Sequence, residues 1–145
     1  MDYVDRYKLR ILSACVGVLI ANLTQGCQTI STYDEHAYAL QTSCLADILK
    51  LLDVANEPYD SHTDQIRAVV LNAERAYEYD RGRPLNQIQI KQWNIIRDPN
   101  QGSFAGFLAH WKAKGQLSPV YISEKKKQIG IQFDAMTSLE AGKNR

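Results

Sequence analysis

The stretch "EHAYALQTSCLADILKLLDVA", Glu35–Ala55, decides the fold. Ala37, Leu40, Cys44, Ile48, Leu51 and Ala55 recur at spacings of three and four, the period of one face of an α-helix. Leu45, Leu49 and Leu52 widen that stripe. A helix with such a stripe must bury it against another element.

Reading outward, "NEPYDS" (Asn56–Ser61) breaks the pattern, because Pro58 disfavours a helical Glu57. Asp60 or Ser61 can cap the next helix. That helix carries Ile66, Val69, Val70, Ala73, Ala76 and Tyr77 on one side. It stops at "RGRP", where Gly82 suits the position just past a helix end and Pro84 blocks extension. Asn86 can cap a short helix holding Ile90, Trp93 and Ile96. After the loop "RDPNQGS", Ser103 can cap "FAGFLAHWKAK", with Phe104, Phe107, Leu108 and Trp111 on one face and Gly115 at the end. Ser118 at the N-cap and Pro119 at the first helical position open the last helix, which uses Ile122, Ile129, Phe133, Met136 and Leu139. "IQIKQ" and "IGIQF" alternate like strands, but their neighbours keep helical spacing and no hairpin turn adjoins them. The expectation is an all-α fold: a long antiparallel helix hairpin, packed with two short helices and a long C-terminal helix, in one helical domain over residues 36–142.

Charge is split along the chain. Residues 28–80 hold ten acids and three bases, and residues 81–145 hold eleven bases and four acids. The halves should attract one another. The basic half can alternatively meet anionic lipid headgroups or an acidic partner. Without residues 1–26, basic and acidic side chains balance at fourteen each, unlike the basic excess of a nucleic-acid binder.

The N-terminus reads differently. "ILSACVGVLIANL", Ile11–Leu23, is thirteen residues without a charge, preceded by Arg6, Lys8 and Arg10 against Asp2 and Asp5. It is shorter than the ~20 residues of a membrane-spanning helix and fits a secretory h-region of ~7–15. A buried helix would keep a polar stripe, and this run has none. Gly26-Cys27 follows at once. The segment resembles a bacterial lipoprotein signal peptide, whose lipobox ends in a small residue and the cysteine to be lipidated. The resemblance implies a leader over residues 1–26 cleaved after Gly26, a diacylglyceryl group on Cys27 and a tether over residues 27–35. Thr24 and Gly26 also suit ordinary signal peptidase. In that case Cys27 keeps its thiol and can pair with Cys44 in an oxidising periplasm. Gln28 is not aspartate, which by resemblance to enterobacterial sorting implies the periplasmic face of the outer membrane. The remainder resembles small helical Gram-negative lipoproteins of unknown function, through Glu57-Pro58-Tyr59, Ala76–Pro84, Lys91-Gln92-Trp93 and Gly106–Gly115. That resemblance implies no activity.

No catalytic constellation stands out. His36, His62 and His110 fall on separate elements with no partner at metal-ligand spacing, so no metal site or cofactor is expected beyond the lipid on Cys27. Cys44 lies on an apolar stripe and reads as a buried thiol. Glu74 and Glu78, one turn apart, read as a solvated face, as does "EKKK" at Glu124–Lys127. Tyr79 sits about 200° from Tyr77 by helical geometry and is a candidate exposed aromatic. Phe104 and Trp111 are candidate partner contacts if the core cannot hold every aromatic, with Phe107 and Trp93 competing for the same space. Two functions follow. One is a non-enzymatic, lipid-anchored envelope protein that binds another envelope protein or peptidoglycan. The other is a soluble, disulfide-stapled periplasmic enzyme modulator or peptidoglycan-acting enzyme.

Overall fold

The computed structural model describes residues 30–144, and the expected leader, Gly26 and Cys27 lie outside them. Among the described residues five helices form: α1 (Glu35–Leu52), α2 (Thr63–Gly82), α3 (Gln87–Arg97), α4 (Phe104–Lys114) and α5 (Pro119–Ala141). A short 3₁₀ turn, Tyr59–His62, leads into α2. The all-α expectation holds, with no strand among the described residues. Both strand-like runs are helical: the buried positions recur three and four apart, Gln89–Trp93–Ile96 and Ile129–Phe133–Met136, while Ile88 and Ile131 face outward.

α1 starts where Asp34 adopts an extended backbone and its carboxylate accepts the Ala37 amide at 2.9 Å. It ends at Leu52, short of the expected Ala55, and tighter turns carry the chain through Val54 and Ala55. α2 runs back beside it. Asn72 bonds Asp47 and Gln41 bonds Asp80, so partners pair in opposite order along an antiparallel hairpin. Ala73 and Ala76 are small residues on the buried α2 stripe. α5 packs on the hairpin, as expected. It runs antiparallel along α1, with Lys126 at Asp53 near one end and Glu140 at Asp34 near the other. α3 runs antiparallel to α2, with Trp93 at Asp80 and Arg97 at Glu74.

Some boundaries differ from expectation. Neither Asp60 nor Ser61 caps α2, because the 3₁₀ turn flows directly into the helix. Gly82 is the last residue of α2 rather than the residue beyond it, and the left-handed conformation falls on Leu85 (φ 57°). Asn86 and Ser103 precede their helices without capping them through their side chains. Ser103 Oγ donates to Gln132 on α5 instead. Gly106 is required by packing: a Cβ there would overlap the Gln101 carbonyl oxygen.

The body also begins earlier than expected. Residues 31–34 are not a free tether but a strap bound along the fold. The Ser31 amide donates to Leu85 O, the Tyr33 amide to Asn144 O and the Asp34 amide to Glu140 Oε1. Lys143 is likewise part of the packed body, past the expected limit of 142.

One apolar core runs the length of the bundle. Trp93, Phe107, Trp111, Ile129, Phe133 and Met136 are fully enclosed in it. At the end away from the strap, the Leu117 amide donates to Ala55 O (2.9 Å) and the Tyr59 amide to Gly115 O (2.8 Å). These bonds lace the α4–α5 loop to the α1–α2 loop.

Candidate functional site

Toward the strap end, four buried stripes carry polar residues. Gln41 continues the α1 stripe, Asp80 that of α2, Gln89 begins that of α3, and Glu140 continues that of α5. All four are at most 1% exposed. Unpaired, the two carboxylates would cost several kcal/mol each. The protein saturates them instead. Asp80 Oδ1 accepts from Arg83 (3.1 Å) and Asn86 (3.0 Å), and Oδ2 from Gln41 (2.9 Å) and the Trp93 indole (2.7 Å). Glu140 Oε1 accepts from the Asp34 amide (2.9 Å) and Arg83 (2.8 Å). Its Oε2 accepts from Arg83 (2.9 Å), Lys143 (2.5 Å) and Gln89 (3.3 Å). Lys143 also donates to Asn86 Oδ1 (2.8 Å), which takes the Ser31 hydroxyl as well (3.0 Å). Arg83 reaches out to Thr32 O (2.6 Å) and lies 3.8 Å from Asp34.

The knot therefore holds three carboxylates, one guanidinium and one ammonium. Burial alone would raise the Glu140 pKa, but bonds from Arg83, Lys143 and Gln89 outweigh it and hold the carboxyl below its ordinary value. Burial also opposes ionisation of Asp34, and the Ala37 amide, the Tyr79 hydroxyl and Arg83 together bring it below the usual range. Burial disfavours the Arg83 cation, yet Glu140 and Asp80 raise its pKa overall. Gln41 and Gln89 turn their amide nitrogens into the knot and leave their carbonyl oxygens without a protein partner.

The residues singled out in the sequence go elsewhere. Tyr79 is not a free exposed aromatic. Its hydroxyl donates to Asp34 Oδ2 (2.8 Å) and its ring meets His36 edge-on, because the start of α1 covers that side of α2. Phe104 and Trp111 are core residues, 3% and 0% exposed, so neither offers a face to a partner. The Trp111 indole donates to Glu57 O (3.0 Å). His62 bonds Glu57 (2.8 Å) and lies by Trp111, and His110 lies by Tyr121. No three candidate metal ligands gather among the described residues. Cys44 is buried, and burial with the nearby Asp47 pushes its thiol up to about 12, which opposes a nucleophilic role.

The charge split is spent across the halves: Arg97 grips Glu74 through two nitrogens (2.8 and 2.6 Å), Lys126 meets Asp53, and Arg83 meets Asp34 and Asp80. Glu74 and Lys126 are thus engaged rather than merely solvated. Open grooves remain. One of about 480 Å³ at the laced end is lined by Asp53, Asn56, Pro119, Ile122, Ser123 and Lys126. A second, about 220 Å³, reaches Cys44 and Asp47 between α1 and α2. A third, about 130 Å³, lies between α3 and α5 at Gln92, Ile95 and Gln132. None of these three sets a general base beside an activated nucleophile.

Comparison with known protein families, curated proteins and solved structures finds no match to this chain.

Proposed function

We propose that this protein is a non-enzymatic interaction module of the bacterial cell envelope, anchored by lipid on Cys27 to the periplasmic face of the outer membrane. Its helical body meets an envelope protein or peptidoglycan. The observation that supports this most is the saturation of the buried charges. Each oxygen of Asp80 and Glu140 already accepts two or more bonds from the protein itself, which suits a locked scaffold and leaves neither oxygen open to a substrate. The strap adds to it. The chain is held to the bundle from Ser31 onward, so the folded body begins four residues after the proposed anchor at Cys27. A diacylglyceryl cysteine holds through two or more chains at roughly 0.8 kcal/mol per buried CH₂.

The test is mass spectrometry and fractionation of wild type and Cys27→Ser. Wild type should sediment with membranes and carry the lipid mass on its first residue. The variant should be uncleaved or released, with the helical spectrum of its body unchanged. An unmodified Cys27 joined to Cys44 contradicts the anchor and favours the soluble, stapled protein.

A further inference from the structure

The loop that receives the strap also presents an apolar tip. Leu85 is left-handed (φ 57°) and half exposed, although bulky side chains rarely occupy that region. Glycine or asparagine would serve the turn with less strain. The leucine backbone is used inward, since its carbonyl takes the Ser31 amide at 3.1 Å, while 49% of the residue's surface stays open. Ile88, on the first turn of α3, is 50% exposed. Lys91, one turn further along the same helix, is exposed; Arg81, just before the loop, is exposed but paired with Glu78 at 2.6 Å. An apolar point with an exposed lysine beside it suits the headgroup layer of an anionic bilayer.

The strap decides what covers this tip. Four residue steps separate Cys27 from Ser31, and fully extended they span at most about 14 Å. A lipid on Cys27 therefore keeps the Leu85 loop within reach of the bilayer surface. We propose that Leu85 and Ile88 are a membrane-seating contact: they enter the headgroup layer beside the anchor and hold the bundle with its knot end down. The inference rests on the anchored reading above. α1 is 18 residues, about 27 Å long, so the laced end with the Ser123 groove is carried away from the membrane, toward whatever the module meets.

The test places a fluorescent coumarin amino acid at position 88 or, separately, at position 123 of the full chain purified from envelopes. The protein is bound to vesicles of phosphatidylethanolamine and phosphatidylglycerol whose acyl chains are brominated near the headgroup. Position 88 should lose several-fold more emission than position 123, and Leu85→Asp should diminish that loss. Equal emission at the two positions overturns the seating contact. So does a change at position 88 that tracks protein self-association rather than bromine. Mass spectrometry of the same sample separates the two ideas. Lipid on Cys27 with equal emission removes the seating and keeps the anchor. No lipid removes the anchor; a maleimide lipid joined to Cys27 then restores a tether of the same length, and the same comparison decides the seating.

Discussion

The two ends of the bundle each hang on a tryptophan N–H, and they use it differently. At the knot end, the Trp93 indole donates to the buried carboxylate of Asp80, and charged side chains from four parts of the chain close the structure. At the laced end, the Trp111 indole donates to the Glu57 carbonyl, and two backbone bonds close the loops over an apolar core. The knot depends on which side chains are present and on their ionisation. The laced end depends mainly on volume and on a chain path that many sequences can follow. Residues 31–34 are thus fixed to the bundle at the end that is closed by charged side chains.

The comparison breaks most visibly at Glu140. Glu140→Ala leaves Arg83 and Lys143 buried without their shared carboxylate and should cost about 3–5 kcal/mol in urea unfolding. Its pH dependence carries a sign. The folded-state pKa values of Glu140 and Asp34 are depressed, so their contribution is full above the ordinary carboxylate range. It is lost as pH falls through their lowered values. Glu140→Gln should begin less stable at neutral pH and lose less on acidification. Parallel pH profiles for variant and wild type would show that the knot is not the acid-sensitive end.

Trp111→Phe sharpens the contrast. It keeps most of the ring volume but leaves the Glu57 carbonyl without its indole donor, and should cost about 1–3 kcal/mol with a pH profile parallel to wild type. A loss that grows in acid would mean the two ends are coupled rather than separate.

Leu85→Asn should have the smallest effect and the opposite sign. Asparagine tolerates the left-handed backbone, so relief of strain should raise stability by about 0.5–1 kcal/mol. An unchanged or lower melting temperature would show that the exposed leucine packs usefully within the fold. A gain with weaker membrane seating would place its value at the surface.

Much of this was legible in the sequence. The spacing of Ala37, Cys44, Ile48 and Leu51 marks α1, and Ser118-Pro119 marks the start of α5, where Ser118 Oγ accepts the Tyr121 amide. The knot left a signal that apolar counting discards. Gln41, Asp80, Gln89 and Glu140 occupy stripe positions, and polar residues there announce a buried network rather than an interrupted face. Its partners follow at short spacing, Arg83 after Asp80 and Lys143 after Glu140. The strap was not legible, because many of its bonds run through backbone groups, the amides of Ser31, Tyr33 and Asp34 and the Thr32 carbonyl, which every sequence supplies. Tyr79 misled for a related reason. Helical geometry places it away from Tyr77, but cannot say that α1 begins over that side.

Hydrogen exchange at the Tyr33 and Asp34 amides of the full chain tests the locked strap most directly. Both donate into the fold, to Asn144 O and Glu140 Oε1, at 2.9 Å. At neutral pH they should exchange as slowly as amides in the last turns of α5, and Glu140→Gln should accelerate Asp34 far more than the amide of Leu117 at the laced end. Exchange of Tyr33 and Asp34 at the rate of a free peptide, while the five helices stay protected, would contradict the account and return residues 31–34 to a loose tether.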